Sequence, residues 1–473
     1  MMERLPRAGA HACGVSAQAV LGFLDAVAEL QLELHSFMLV RHGTVAAEGW
    51  WNPYRADAPH MLFSLTKSFT STAVGLAVAD GLITVDDFVH SFFPEYVRDS
   101  VDDHLAAMRI RHLLSMSTGH AQDARLSREG HEEDWVWGFF QEPVVHEPGT
   151  HFVYNNGASY MLSAIVQRVT GQTLEQYLGT RLFAPLGISG VRWDTCPRGR
   201  SIGGSGLRLK TEDIAKLGLL YLRRGVWDGG RVLSAEWVDE ATRRHIANGD
   251  DPASDWAQGY GYQFWRCRHG AYRGDGAFGQ FCVIFPEQDA VLAITSGVRQ
   301  MQQVLDAVFA HLLPGMDDSA AAADAGVQQK LEERLAVLAL PPVDPGRTAP
   351  RTSGAVHYAI AENTQGFTAV RFAWESDRCI VSLANRAGEH AIACGLGHFA
   401  QGVSSLSGRP EPFAASCQWR AEDVMVVVAR FVETPFFWTM TFCFAGETLQ
   451  STVVVNLSFG SQEQFSLEGR RTE

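Results

Sequence analysis

Serine, lysine and tyrosine are weak catalysts singly, and this chain spaces them where they can cooperate. Phe63-Ser64-Leu65-Thr66-Lys67 opens a helical pattern rich in small residues that runs to about Leu82. Residues three apart share one face of a helix, so the Ser64 hydroxyl and the Lys67 amine can meet. A serine becomes a nucleophile only when a neighbouring base takes its proton. Lys67, set among Ser68, Thr72, Ala73, Gly75, Leu76 and Ala77, has a reason to be neutral enough to do so, because burial disfavours its charged form. A helix N-terminus also offers backbone N–H groups to a developing anion. A surface serine beside a solvated lysine would carry the same short pattern. What separates the two readings is placement, since this lysine, one of four in the chain, lies inside an otherwise apolar helix.

A second stretch, Glu147-Pro148-Gly149-Thr150-His151-Phe152-Val153-Tyr154-Asn155-Asn156-Gly157, turns at Pro-Gly and leads into a helical pattern from Ala158 to Thr170. An ordinary phenol, with a pKa near 10, works as a base only beside cations, and Lys67 is a candidate for that cation. Asn156 can donate to a substrate carbonyl and accept from Lys67. Equally, Tyr154 can pack on the turn and Asn156 can cap the helix. A third stretch, Gly274-Asp275-Gly276-Ala277-Phe278-Gly279-Gln280-Phe281, brings three glycines into a strand, which lets a ligand approach the backbone closely. An ordinary glycine-rich turn before an edge strand reads the same.

Positioning these three stretches takes a mixed fold. Ser16 is placed to cap a helix with Val20, Leu21, Leu24, Val27 and Leu30 on its apolar face. Ser36–Arg41 and Val45–Trp51, joined by His42-Gly43-Thr44, read as a hairpin. Helical patterns follow at 110–115, 158–170, 174–182, 211–223 and 235–243. Strands return at 279–285 and 290–296, and a helix closes the region over 300–313. Strands at both ends with helices between them predict an α+β fold: one antiparallel sheet flanked by helices, with an inserted helical lobe. Beyond Gly315 an Ala/Asp-rich stretch, a helical pattern over 326–340 and Pro341, Pro342, Pro345 and Pro350 mark a connector. Strand patterns at 355–361, 367–374, 379–384, 424–432, 436–444 and 449–457 then predict a barrel or sandwich. The expected domains are 1–315, a linker with a helix over 316–350, and an all-β domain over 351–473.

The three stretches, in this order and at these separations, resemble the serine β-lactamase and penicillin-binding-protein superfamily, most of all its class C-like esterase and amidohydrolase branch. Ser64-Leu-Thr-Lys67 matches the S-x-x-K of that family and Tyr154-Asn-Asn156 its Y-x-N. Ile110-Arg-His-Leu-Leu-Ser-Met-Ser-Thr-Gly119, Pro148-Gly149-Thr150, Gly171-Gln-Thr-Leu-Glu175, Pro185-Leu-Gly187 and Gly204-Ser-Gly-Leu207 are similar as well, so the likeness covers residues 15–313. It implies a serine hydrolase of carboxylesterase or amidohydrolase type with a β-lactamase/transpeptidase-like fold. Ser64 would form an acyl-enzyme, Lys67 and Tyr154 would share the acid–base work, and the amides of Ser64 and of Ala277 or Phe278 beside Gly276 would hold the oxyanion. No metal or other cofactor is implied. The Lys/His-Thr-Gly of β-lactamases is replaced by Gly274-Asp275-Gly276, which removes the cation that holds a substrate carboxylate. A small neutral ester or amide is therefore expected rather than a penicillin. The alternative is a retired family member that binds or scaffolds.

The remaining composition narrows the partners. The 473 residues carry a net charge of −14, with 39 Lys and Arg against 53 Asp and Glu, so neither nucleic acid nor an anionic membrane surface is an expected partner. No apolar run approaches a membrane span. The first ten residues lack the apolar core of a signal peptide, and the eight cysteines form no C-x-x-C pair. Reduced thiols in a cytoplasmic protein are expected. His131-Glu132-Glu133-Asp134 reads as a solvated loop. Trp135, Trp137, Phe139 and Phe140, within 119–146, suit either a substrate lid or wall, or packing of the helices. The oligomeric state is not legible.

Overall fold

The computed structural model describes residues 4–96, 102–317, 324–343 and 354–472. Pro345, Pro350 and most of the Ala/Asp-rich stretch lie outside the described residues. The chain divides into two compact units, one of Met1–Gly49, Pro59–Ser296 and Gln300–Ala336, the other of Trp50–Ala58, Gly297–Arg299 and Val337–Glu473.

The first unit is built on a six-stranded sheet. Its strands in chain order are β1 (Leu34–Arg41), β2 (Thr44–Trp50), β3 (Trp265–Arg266), β4 (Tyr272–Gly276), β5 (Gln280–Phe285) and β6 (Ala290–Ser296). They lie side by side as β2-β1-β6-β5-β4-β3, so the two ends of this region meet where Phe37 faces Ile294 and Val40 faces Val291 in antiparallel register. Every residue of β1, β5 and β6 is buried, because helices cover the sheet. The helices used below are α1 (Ala17–Glu29), α2 (Thr66–Ala79), α3 (Trp135–Phe140), α4 (Asn156–Thr170), α5 (Thr211–Leu222) and α6 (Ala325–Ala336). Ser16 caps α1 by accepting from the Ala19 amide, as the sequence predicts, but Leu30 lies past the helix end and is exposed. The helical pattern over 326–340 becomes α6, which packs on α1 within the first unit.

In α2 every side chain from Thr66 to Ala77 is buried. Small residues make this possible, since a helix enclosed on all sides needs close neighbours. Two of its hydroxyls donate to carbonyls outside the helix: Thr70 to that of Gly203 at 2.7 Å and Ser68 to that of Gln263 at 3.0 Å.

The second unit is a closed barrel. Nine strands run in the order 388–396, 378–385, 369–374, 354–360, 463–472, 448–455, 437–445, 424–431, 411–419, and the ring closes where Gly395 and Leu396 pair in parallel with Ser416 and Cys417. A tenth strand, Ala400–Ser404, pairs outside the ring with Glu411–Trp419. Val370, Phe372, Val381, Ile392, Val427, Met440 and Val453 fill the interior. All eight cysteines are free thiols. Among the described residues no helix is long and apolar enough to cross a membrane.

Candidate active site

Ser64 lies on a short 3-10 turn, Phe63–Leu65, immediately before α2 begins at Thr66. The backbone of Phe63 is left-handed (φ 48°), a strained geometry for a bulky residue, and it delivers the serine to the half-buried rim of the unit. One turn on, Lys67 is 2% exposed. Its Nζ donates to Ser64 Oγ at 3.0 Å, Asn156 Oδ1 at 2.7 Å and the Gly204 carbonyl at 2.8 Å. These three acceptors carry no charge. Burial accordingly pulls the Lys67 amine down to about 7, against the opposing pull of Asp123 and Asp275.

Tyr154 arrives from the turn before α4. Its ring stands 4.8 Å from Lys67 Nζ and stacks on Trp265 with centroids 5.6 Å apart and planes at 17°, and its hydroxyl lies on the side of Ser64. The sequence reading placed a cation beside this phenol. The structure places a buried carboxylate near it as well: burial first, then Asp275, push the Tyr154 hydroxyl far above its usual range, outweighing the opposing influence of Ser64 and Arg273. Tyr154 is thereby held as a neutral phenol, and the group whose charged form burial disfavours is Lys67.

Gly274-Asp275-Gly276 is strand rather than a lead-in turn, and the turn is 277–279. Gly276 is required there, because a Cβ would sit 2.0 Å from the Leu62 carbonyl oxygen, and this closeness sets the strand end against the turn that carries Ser64. Ala277 follows directly. Phe278 is left-handed (φ 65°) and meets Phe63 edge to face at 5.5 Å. Ser296 Oγ donates to the carbonyls of Phe278 and Gly279, and Gln280 Nε2 donates to that of Ala277 at 3.1 Å, so the turn is pinned from β5 and β6.

The strand does contain a cation, one residue before the glycines. Arg273 is wholly buried and donates through Nε to Asp275 Oδ2 at 3.0 Å and through Nη1 to the Asp255 carbonyl at 2.7 Å. Trp265 lies beside the same Asp275 carboxylate and favours its charged form. The two charges offset each other inside the protein, so Arg273 is held by Asp275 rather than offered at the edge of the site. Asp123, Trp265, Arg273 and Ser296 all escaped sequence reasoning. Gly204 and Gln280 were quoted only as members of their stretches, with no role attached.

The loop from 119 to 146 packs rather than projects. Val136, Phe139 and Phe140 are buried, and Trp135 meets Tyr160 of α4 edge to face at 5.3 Å. Asp134, expected in a solvated loop, is instead 7% exposed: it caps α3 at Trp137 and pairs with Arg198 at 2.9 Å. Among the described residues no cluster of three His, Cys, Asp or Glu side chains is arranged to hold a metal. A pocket of about 440 Å³, lined by His11, Ser16, Gln18, Asp324 and Gln328, includes none of the site residues.

Residues 26–312, more than half of the chain, match the model of the Beta-lactamase family. The chain belongs to that family. A 6-aminohexanoate-dimer hydrolase of Paenarthrobacter ureafaciens is 27% identical over 280 residues, 54% of this chain and 71% of that protein. A lovastatin esterase of Penicillium rubens is 28% identical over 250 residues, covering 41% of this chain and 61% of the esterase. Among solved structures, a penicillin-binding protein homologue from Caulobacter crescentus superposes with a TM-score of 0.51 at 16% identity, over 63% of this chain and 99% of that one, a likeness of fold.

Proposed function

We propose that the protein is a serine hydrolase that cleaves a small ester or amide through an acyl-enzyme on Ser64. The observation that carries this reading is the 3.0 Å contact between Ser64 Oγ and a buried lysine whose other two bonds go to neutral oxygens. Neutral Lys67 takes the Ser64 proton as Oγ attacks the substrate carbonyl. The amides of Ser64 and Ala277, or of Phe278, receive the oxyanion beside Gly276. Tyr154 gives its proton to the leaving oxygen or nitrogen and is reprotonated from Lys67, which restores the resting charges. Water then attacks the acyl carbonyl and gives a proton to the same pair, which passes it to Ser64 Oγ as the acyl C–Oγ bond breaks, releasing the acid and restoring the serine.

The names of the two curated relatives, a hydrolase and an esterase, support hydrolysis of an amide or ester. The neutral character of the substrate rests on the closed Arg273–Asp275 pair, which leaves a substrate carboxylate without that cation at the strand edge and makes a penicillin a poor substrate. Incubation with a fluorophosphonate followed by peptide mapping tests the reading. An adduct on Ser64 and hydrolysis of short p-nitrophenyl esters are expected, and both vanish in Ser64→Ala. Hydrolysis that survives in that variant would assign the activity to another residue.

A further inference from the structure

Asn156 is useful to Lys67 only if its amide oxygen, not its amide nitrogen, points at the amine. The two ends are nearly the same size, so packing alone does not choose between them. Asp123 makes the choice. Its Oδ2 accepts from Asn156 Nδ2 at 2.7 Å, and its Oδ1 accepts from the Asn156 backbone N–H at 2.6 Å and that of Gly157 at 3.4 Å. A carboxylate has only acceptors, so the nitrogen must face it and the oxygen must face Lys67. The loop that supplies Asp123 is itself fixed. The neighbouring Asn155 accepts from the amides of Ala124 at 3.2 Å and Ala158 at 3.1 Å, while its Nδ2 donates to Thr118 Oγ1 at 3.4 Å.

We infer that Asp123 is a positioning residue for the proton-transfer step, holding Asn156 in the one amide orientation that lets Lys67 serve Ser64. This rests on the proposed function above. Asp123 never reaches the reacting atoms. It acts through Asn156, and it also places a negative charge near Lys67. The charged or titratable groups that bear on Lys67 are then Asp123 from the loop, Tyr154 from the turn before α4, and Asp275, itself paired with Arg273, from β4.

Asp123→Asn is the sharp test, because it rewards the wrong orientation. An asparagine there offers an N–H to Asn156, which satisfies it by turning its oxygen away from Lys67. A loss in kcat/KM of about 10–100-fold is expected, the cost of misplacing a catalytic group. KM should change little, and the acid limb of the rate profile should move to lower pH because the charge that favoured protonated Lys67 is gone. Asp123→Ala should move the limb the same way and gives a second route should the first variant fold poorly. The double variant Asp123→Asn with Asn156→Asp returns an acceptor to Lys67, so it should recover part of the rate with its limb above that of the single variant. Melting temperatures of all variants separate these effects from unfolding.

An Asp123→Asn protein with the wild-type rate and an unmoved limb overturns the inference, as does a folded double variant no faster than the single one. A wild-type protein that takes no fluorophosphonate on Ser64 would instead defeat the proposed function itself, whatever Asp123 does.

Discussion

Lys67 and Lys216 start from the same circumstances and end in different ones. Both lie in the first unit, at 2% and 1% exposure, on helices buried against their neighbours. Each faces the residue three positions earlier. For Lys67 that residue is Ser64, with Asn156 and the Gly204 carbonyl completing the shell. For Lys216, on α5, it is Asp213, whose Oδ1 is 3.5 Å away, with the Gly187 carbonyl at 3.2 Å. Burial pushes the Asp213 carboxyl up to about 6, against the pull of Lys216 and Lys210. One buried lysine is tied into an ion pair and the other is left among dipoles. The difference shows that burial alone does not make a base: a charged neighbour at the same helical spacing turns the same residue type into structure.

The largest expected effects separate these two regions. Ser64→Ala should remove ester hydrolysis, and Lys67→Met should lower it by about 10²–10⁴-fold, the usual worth of a general base. Lys67→Arg should be nearly as damaging although it keeps the charge, because a guanidinium does not give up its proton. Lys216→Met should do the opposite. It strands a buried carboxylate, costs about 3 kcal/mol in a denaturant melt, and leaves kcat per folded molecule close to wild type. A Lys216→Met protein of unchanged stability and lost activity would break the comparison.

Substrate charge gives the next effect. Turnover of a penicillin should be lower than that of a neutral p-nitrophenyl ester by about 10³-fold, the size of losing a charge-assisted contact that the rest of the pocket does not replace. Comparable kcat/KM values for the two would show that Arg273 is not held closed by Asp275. A smaller effect is expected from Trp265→Phe, which keeps an aromatic ring under Tyr154 but removes the indole N–H beside Asp275. A fall of about 3–10-fold in kcat, with KM unmoved, corresponds to the loss of one polar contact. No change at all would mean that stacking by itself holds Tyr154.

What could be read from the chain follows from how far apart in sequence the partners lie. Ser64 and Lys67 are one helical turn apart, so their meeting was legible locally. The Tyr154–Asn156 stretch was legible through its resemblance and not through any local rule. Asp123, Gly204 and Asp275 reach Lys67 or its partners across 56, 137 and 208 positions, separations that no local pattern encodes. Arg273 was passed over because a buried, ion-paired arginine on a strand looks the same in sequence as a solvated one. A barrel or sandwich was expected from the alternating strands, yet 388–396, 400–404, 411–419 and 463–472 went unread. The last shows why: only Leu467 and Gly469 of its ten residues are buried, too few to signal an inner face.

The central claim is that Lys67 is neutral enough at physiological pH to deprotonate Ser64. With four lysines in the chain, isotopic labelling of lysine gives a spectrum simple enough to assign by substitution. The measurement is the pH titration of the lysine side-chain signals by NMR, beside the pH dependence of Ser64 acylation. Because the lysine is held near 7 by burial, its signal should titrate close to neutrality, disappear in Lys67→Met, and share its midpoint with the acid limb of acylation, the rate rising as the amine loses its proton. A Lys67 signal that stays protonated to pH 9 while acylation proceeds at pH 7 would contradict the account and pass the role of base to another group.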